Sequence, residues 1–279
     1  MMHAHLQLDF SVAGGRTQLH CSQQDPPWKV VRAFPNAAGE SLVHLNNVSG
    51  GVFGGDRLSL GIALGPGAAA QITTTGSTRV YRPRASAADA IQISEIHLGA
   101  GALLEYLPDS IIPFREARFE QRTDVHLEAG ATLFWWEILA PGRAASGELF
   151  AYESLRINTR IWSRGQPIYI DRLLLVPQQA NLASLVRFGK FRYVTSFMIC
   201  RSGGDARTWI ALERTLREIA EQRSHASTLW GATALTADGL LVRGLSESGL
   251  HLMEDLYCFW STAKNFLCGG VALPPRRTY

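Results

Sequence analysis

The chain holds 279 residues, 46% of them hydrophobic and 18% charged, with a net charge of +3. That composition describes a folded protein of one large or two modest domains and excludes a disordered chain. The small net charge argues against a nucleic-acid partner, no apolar run reaches the roughly 18 residues of a membrane helix, and "MMHAHLQLDF" lacks the basic-then-apolar pattern of an export signal.

A cytoplasmic location is therefore expected, with Cys21, Cys200, Cys258 and Cys268 as reduced thiols. Their spacings match no zinc module, and small buried residues are the expected role. In chain order, "LQLDFSV", "RLSLGIAL", "AIQISEIHL" and "LRINTRIW" alternate apolar and polar positions, the period of a half-buried strand. Glycine, proline and serine punctuate these runs closely, so the region to about residue 175 reads as many short strands. "IALGPGAAAQI" (62–72), "IHLGAGALLEY" (96–106) and "VHLEAGATLFW" (125–135) repeat one pattern, strand, glycine turn and new strand, around Gly67, Gly101 and Gly130. The spacing of about 30 residues suits stacked structural units. Coils or hairpins stacked on one another, with β-helix-like winding, are one reading; ordinary turn chemistry in a β-sandwich is the other.

The text changes near residue 180. "FRYVTSFMIC" reads as a strand, and "DARTWIALERTLREIAEQ" as a helix with Trp209, Leu212, Leu216 and Ile219 on one face and Asp205 or Thr208 as N-cap. "TADG" between "STLWGATAL" and "GLLVRGL" is a hairpin signal. A second helix follows, with Leu252, Leu256, Phe259, Ala263 and Phe266 as its stripe and Gly269 past its end. The expectation is a mainly β fold: a body of stacked strands over residues 1–180 and an α+β portion with two helices over 181–279, packed together or continuous.

"VSGGVFGGD" (48–56) raises a separate question. A phosphate loop needs a lysine, a Ser or Thr for magnesium and a following helix, and here Asp56 and a strand follow. Gly50, Gly51, Gly54 and Gly55 are instead expected to permit positive φ and close backbone contact, with Asp56 at the loop's edge.

The wording of this loop, followed by "TTTGSTRVYR" (73–82), "LEYLPDSIIPF" (104–114), "WEILAPGRAASGELF" (136–150) and "PIYIDRLLL" (167–175), resembles the UreD family of urease accessory proteins, also called UreH. Through five motifs in order the resemblance covers most of the first 175 residues, and the last 80 match more loosely. The resemblance implies a non-catalytic scaffold and nickel metallochaperone that binds UreF, reaches the GTPase UreG through it, and docks on apo-urease. It implies no tightly bound cofactor, only nickel(II) in transit. Nickel binds nitrogen and sulfur ligands strongly, so a protein that hands it on is better served by carboxylates, hydroxyls and water than by a His/Cys cage.

Polar residues that interrupt apolar runs are the candidates for such a path. Asp56, Glu137 and Asp171 supply carboxylates, with Thr75, Ser77, Thr78 and Arg172 beside them. A buried carboxylate is costly unless paired or wet, so each calls either for a structural partner or, as the resemblance implies, for a water-filled passage. Arg79 and Tyr81 share a strand face, and Arg143 and Glu148 are expected to pair across the turn "PGRAASGE", a candidate urease-facing surface. His3 and His5 form "HAH" near the start, and His251, Asp255 and Cys258 lie close on the last helix; both are weaker metal candidates. The last helix is apolar on more than one side, and with the closing "PPRRTY" it is a candidate contact for a UreF-type partner. The competing expectation is a β-solenoid carbohydrate enzyme using Asp56 and Glu137 as paired carboxylates, with Tyr106, Trp135 and Trp136 as the sugar platform.

Overall fold

The computed structural model describes residues 1–36, 39–84 and 87–275, so residues 276–279 of the terminal "PPRRTY" lie outside the described residues. In chain order the elements are β1 (His3–Ala13), β2 (Arg16–Gln24), β3 (Trp28–Lys29), β4 (Ala33–Pro35), β5 (Ser41–Asn47), β6 (Arg57–Leu64), β7 (Ala69–Thr74), β8 (Thr78–Val80), β9 (Ala90–Leu98), β10 (Leu103–Tyr106), β11 (Ile111–Pro113), β12 (Arg118–Leu127), β13 (Thr132–Leu139), β14 (Ser154–Ser163), β15 (Gln166–Leu175), β16 (Tyr193–Arg201), α1 (Ala206–Arg223), β17 (Thr228–Ala234), β18 (Gly239–Ser246) and α2 (Leu252–Cys268). The fold is mainly β with two helices.

Two sheets face each other. The smaller has seven strands in the order β15-β14-β12-β9-β6-β1-β2, and the larger has eleven, with β17-β18-β16-β13-β10-β7-β5-β3 along its main path. From β6 to β13 the three glycine turns each carry the chain from one sheet to the other. Same-sheet neighbours are parallel: β6 with β9 and β9 with β12 in the smaller sheet, β7 with β10 and β10 with β13 in the larger. The three repeats are thus parallel layers, not hairpins. Each turn closes with a backbone bond from Ala68, Ala102 or Ala131 to the residue three before it, and the glycine before that alanine has φ between 66° and 72°. A positive φ at that position is what a type II turn demands. The turns also bond to one another, Gly67 N to Ala100 O at 2.9 Å and Gly101 N to Ala129 O at 2.9 Å, which locks successive layers in register.

The glycine loop serves close approach. A Cβ on Gly51 would lie 2.5 Å from both the Arg79 carbonyl oxygen and the Tyr81 ring, because the loop pairs with the end of β8 through Val52 N to Arg79 O and Tyr81 N to Val52 O. Phe53 stacks on Tyr81 with ring centroids 4.7 Å apart.

Beyond residue 181 the chain continues the larger sheet: β16 pairs antiparallel with β13, β18 with β16, and β17 with β18. The β17–β18 turn has Asp238 at φ 53° before Gly239, as the "TADG" signal requires. Asp205 caps α1, its side chain accepting from Arg207 N, and Gly269 ends α2 in the left-handed region. Both helices cover the outer face of the larger sheet. Two cores result, one between the sheets and one between the larger sheet and the helices. β13 serves both by strict alternation: Leu133, Trp135 and Leu139 face the smaller sheet, while Phe134, Trp136 and Ile138 face the helices. In α2, Phe266 departs from the expected stripe and is 43% exposed, its place inward taken by Trp260, Lys264 and Leu267. Of the cysteines only Cys200 is fully buried, whereas Cys21 and Cys268 are exposed. No helix among the described residues is long and apolar enough to cross a membrane.

Candidate functional site: a polar chamber between the sheets

Parity along β13 places Glu137 on the same face as Trp135 and Leu139, toward the smaller sheet. Opposite it the smaller sheet does not present an unbroken apolar face. Its inward positions are Gln92 and Ser94 on β9, Gln121 and Thr123 on β12, and Thr159 on β14. Strand pairing aligns them: Gln92 lies beside Gln121, and Ser94, Thr123 and Thr159 on parallel strands form one row with Asp171 of the antiparallel β15. The interior thus carries a ladder of amides and hydroxyls that ends on a carboxylate.

A chamber of about 50 Å³ lies between this ladder and Glu137, walled on its apolar side by Trp28, Tyr106, Ile111 and Trp135. A second cavity of about 200 Å³ adjoins it, with Trp28, Leu45, Thr74, Thr78 and Gln92 lining both. This outer cavity is lined by Gly50, Gly51, Thr75, Ser77 and Arg79, and Thr75 and Arg79 are exposed. Together the cavities lead from the glycine loop at the surface to Glu137 inside.

Among the described residues, the Glu137 carboxylate has no cationic partner in contact. It accepts a hydrogen bond from Gln121 Nε2 at 2.6 Å. Burial, and then the charge of Asp171, push its pKa up to about 7, against the opposing pull of the Gln121 bond. The Thr159 hydroxyl, which makes no well-formed hydrogen bond, adds a weaker pull in the same direction as Gln121. Asp171 is half-buried and differently placed: it accepts from Tyr169 Oη at 3.0 Å and from Arg243 Nη2 at 2.7 Å. A carboxyl without a counter-ion, a few strands from one that has its own, is a site that can hold a proton or admit a cation near neutral pH.

The remaining candidates separate. Asp56 does not join the chamber: one carboxylate oxygen accepts from Met2 N at 3.0 Å and the other from Phe53 N at 2.9 Å, so it staples the N-terminal strand to the glycine loop. Arg172 is exposed, on the face of β15 opposite to Asp171, because consecutive strand residues point to opposite sides. Thr75 and Ser77 stand at the outer cavity, Ser77 Oγ 3.1 Å from Ser110 Oγ. Arg143 and Glu148 form a bidentate pair, with the Arg143 guanidinium 4.6 Å from the Phe114 ring centroid. That pair holds the Glu148 carboxyl below its ordinary pKa. His3 and His5 belong to a well-paired strand, and His5 Nδ1 lies 2.8 Å from Ser59 Oγ. Asp255 is occupied by Trp230 Nε1 at 2.9 Å and Arg223 at 3.2 Å. Among the described residues no three His, Cys, Asp or Glu side chains converge on one point.

The carbohydrate-enzyme expectation meets the same geometry. Tyr106, Trp135 and Trp136 are all buried, and Trp136 faces the helices with its indole N–H on the Pro108 carbonyl, so they offer no platform to a sugar. Asp56 is already spent on backbone amides.

Sequence reading missed the ladder. Its signal lies in the repeats: Gln92 and Ser94 stand six and four residues before Leu98, as Gln121 and Thr123 stand before Leu127. Reading also missed a second buried cluster beneath α2. There Lys264 Nζ lies 2.7 Å from Glu40 Oε1 and 2.9 Å from Glu105 Oε1, and Trp260 Nε1 donates to Glu105 at 2.9 Å.

Comparison with known proteins agrees with the motif resemblance. A family model described as "UreD urease accessory protein" matches residues 2–279. The chain is 44% identical to the urease accessory protein UreD of Herpetosiphon aurantiacus over 279 residues, covering all of this chain and 97% of that one. It is 31% identical to the UreD of Deinococcus radiodurans over 98% of this chain and 94% of the other, and 41% identical to that of a Nostoc species over 61% of each. These relatives are named as accessory proteins of an enzyme, not as the enzyme. With the match running through the glycine loop, the ladder strands and both helices, this chain belongs to the UreD family of urease accessory proteins.

Proposed function

We propose that the protein is a scaffold and conduit for nickel during urease maturation in the cytoplasm. It works with a UreF-type protein, with the GTPase UreG through that protein, and with apo-urease as recipient. The observation that carries this reading is the pair of adjoining cavities ending at Glu137 and lined by hydroxyl, amide and carboxylate oxygens.

The chemistry suits transit. Oxygen donors hold a first-row dication more loosely than imidazole or thiolate, and a row of them lets an ion move without being caught. Thr75 and Ser77 stand at the outer cavity, Gln92 lies where the two cavities meet, and Asp109 and Glu137 supply carboxylates to the inner one. Asp171, held by Arg243, ends the row. In this reading Asp56 shapes the mouth by fixing the glycine loop and does not touch the ion.

The test is nickel content. Urease co-expressed with its accessory proteins and with Glu137→Ala in this chain should carry less nickel, by a factor of about ten, the scale on which lost ligands and their supports act. The amount of soluble accessory complex should be unchanged. Full nickel loading with the variant removes Glu137 from the route, and loss of the soluble complex assigns it a structural role instead.

A further inference from the structure

The larger sheet extends past the smaller. The smaller sheet ends at β15, while β18 and β17 continue the larger one beyond β16. The helices cover one face of this overhang, where Trp230, Ala232, Leu240 and Val242 pack. On its other face the β15 edge reaches β18, where Arg243 bonds Asp171 and Leu241 joins the core between the sheets, and β17 is left without a strand above it. The result is a groove of about 570 Å³ between the β15 edge, the segment around Phe188, and the face of β17 and β18.

The groove is apolar with a basic rim. Leu173, Phe188, Leu229 and Leu245 line it together with Arg187 and Arg243, and among the described residues no acidic side chain lines it. Arg243 holds Asp171. Arg187 makes no ion pair among the described residues. Next to it Leu185 and Val186 are 94% and 92% exposed. Two adjacent aliphatic side chains so fully in water, beside a free guanidinium and a groove, mark a surface made to be covered.

Resting on the maturation reading, we propose that this overhang is a protein docking seat, and that its occupant is a partner segment carrying apolar side chains and a carboxylate. The apolar residues fill the strip left bare by the sheet mismatch, and the carboxylate pairs with Arg187. A second copy of this chain fits worse, because a two-fold contact through the same surface sets Arg187 near its own mate. The groove also contains Arg243, the guanidinium that holds Asp171 at the end of the polar row. Docking therefore takes place beside the Arg243–Asp171 pair, away from the glycine-loop mouth.

The experiment measures binding of the full chain to two purified probes from the same organism, apo-urease and the UreF-type protein. Arg187→Glu and Leu229→Asp are the test variants, both at exposed positions and so compatible with folding. Arg214→Glu, exposed on α1 on the other side of the sheet, controls for added charge. The expected result is binding to one probe weakened at least about tenfold by each test variant and changed less than about twofold by the control, the size of effect a central contact has. Unchanged affinity of both test variants for both probes overturns the proposal, as does equal weakening by all three. A wild-type dimer that Leu229→Asp converts to monomer overturns it in favour of self-association. Wild-type protein that binds neither probe overturns the maturation reading and this inference with it.

Discussion

Replacing Glu137 by glutamine should make the protein more stable and less useful. The folded state holds the Glu137 carboxyl near pKa 7, against an ordinary value of 4.5, because burial and Asp171 disfavour its charge. A carboxyl whose pKa is raised on folding binds its proton more tightly in the native state than in the unfolded one. That proton therefore stabilises the fold; the stabilisation is complete below pH 4.5 and is lost as pH rises toward about 7. The interval of about 2.5 pH units, at about 1.4 kcal/mol each, sets a ceiling of about 3.5 kcal/mol on the native-state penalty at pH 8. Water in the chamber lowers the realised figure below that ceiling. Glutamine preserves shape and does not titrate, so Glu137→Gln escapes the penalty. Urea unfolding followed by tryptophan fluorescence, on both proteins at pH 5, 6, 7 and 8, isolates it, since every other titrating group cancels in the difference. The variant's stability relative to wild type should rise with pH, by up to about 3 kcal/mol between pH 5 and 8, while nickel delivery falls. A pH-independent difference, or a variant less stable at pH 8 than at pH 5 relative to wild type, would mean that Glu137 is ionised and paired in the native state, and the conduit argument would fail with it.

Removing the cation beneath α2 should act in the opposite sense. Lys264→Met leaves Glu40 and Glu105 buried without their counter-ion, and Glu105 already has a raised pKa from burial and from Glu40. Denaturant titration should show a loss of about 3–5 kcal/mol at pH 8, smaller at pH 5 where the carboxyls can protonate, and partly recovered by adding Glu105→Gln. Undiminished stability of Lys264→Met at pH 8 would show that the cluster is not ionised. Gly51→Ala pushes a methyl group into the Arg79 carbonyl and the Tyr81 ring, and a thermal melt should show destabilisation of about 1–3 kcal/mol. A variant as stable as wild type would mean that the loop can shift away from β8.

Much of the architecture was legible because its causes are local. Alternation of apolar residues marked the strands, the repeated glycine turns marked the layers, and Asp205, Asp238–Gly239 and Gly269 marked a cap, a hairpin and a helix end. Five ordered motifs point to the same family as the whole-chain comparison. The candidate site was only half legible. Period-two parity shows that Glu137 shares a face with Trp135, but the wall opposite is formed by β9, β12 and β14, and only parallel pairing aligns Ser94 with Thr123 and Thr159.

What the amino-acid order determined alone is therefore the set of elements and their turns, because those depend on neighbours a few residues away. Tertiary structure decided which polar residue meets which partner. Arg243 reaches Asp171 across 72 residues, Lys264 reaches Glu40 across 224, and Asp56 turns to the amide of Met2 rather than to the chamber. A buried charge takes its energy from what packs around it, and that environment exists only after distant strands have been brought together.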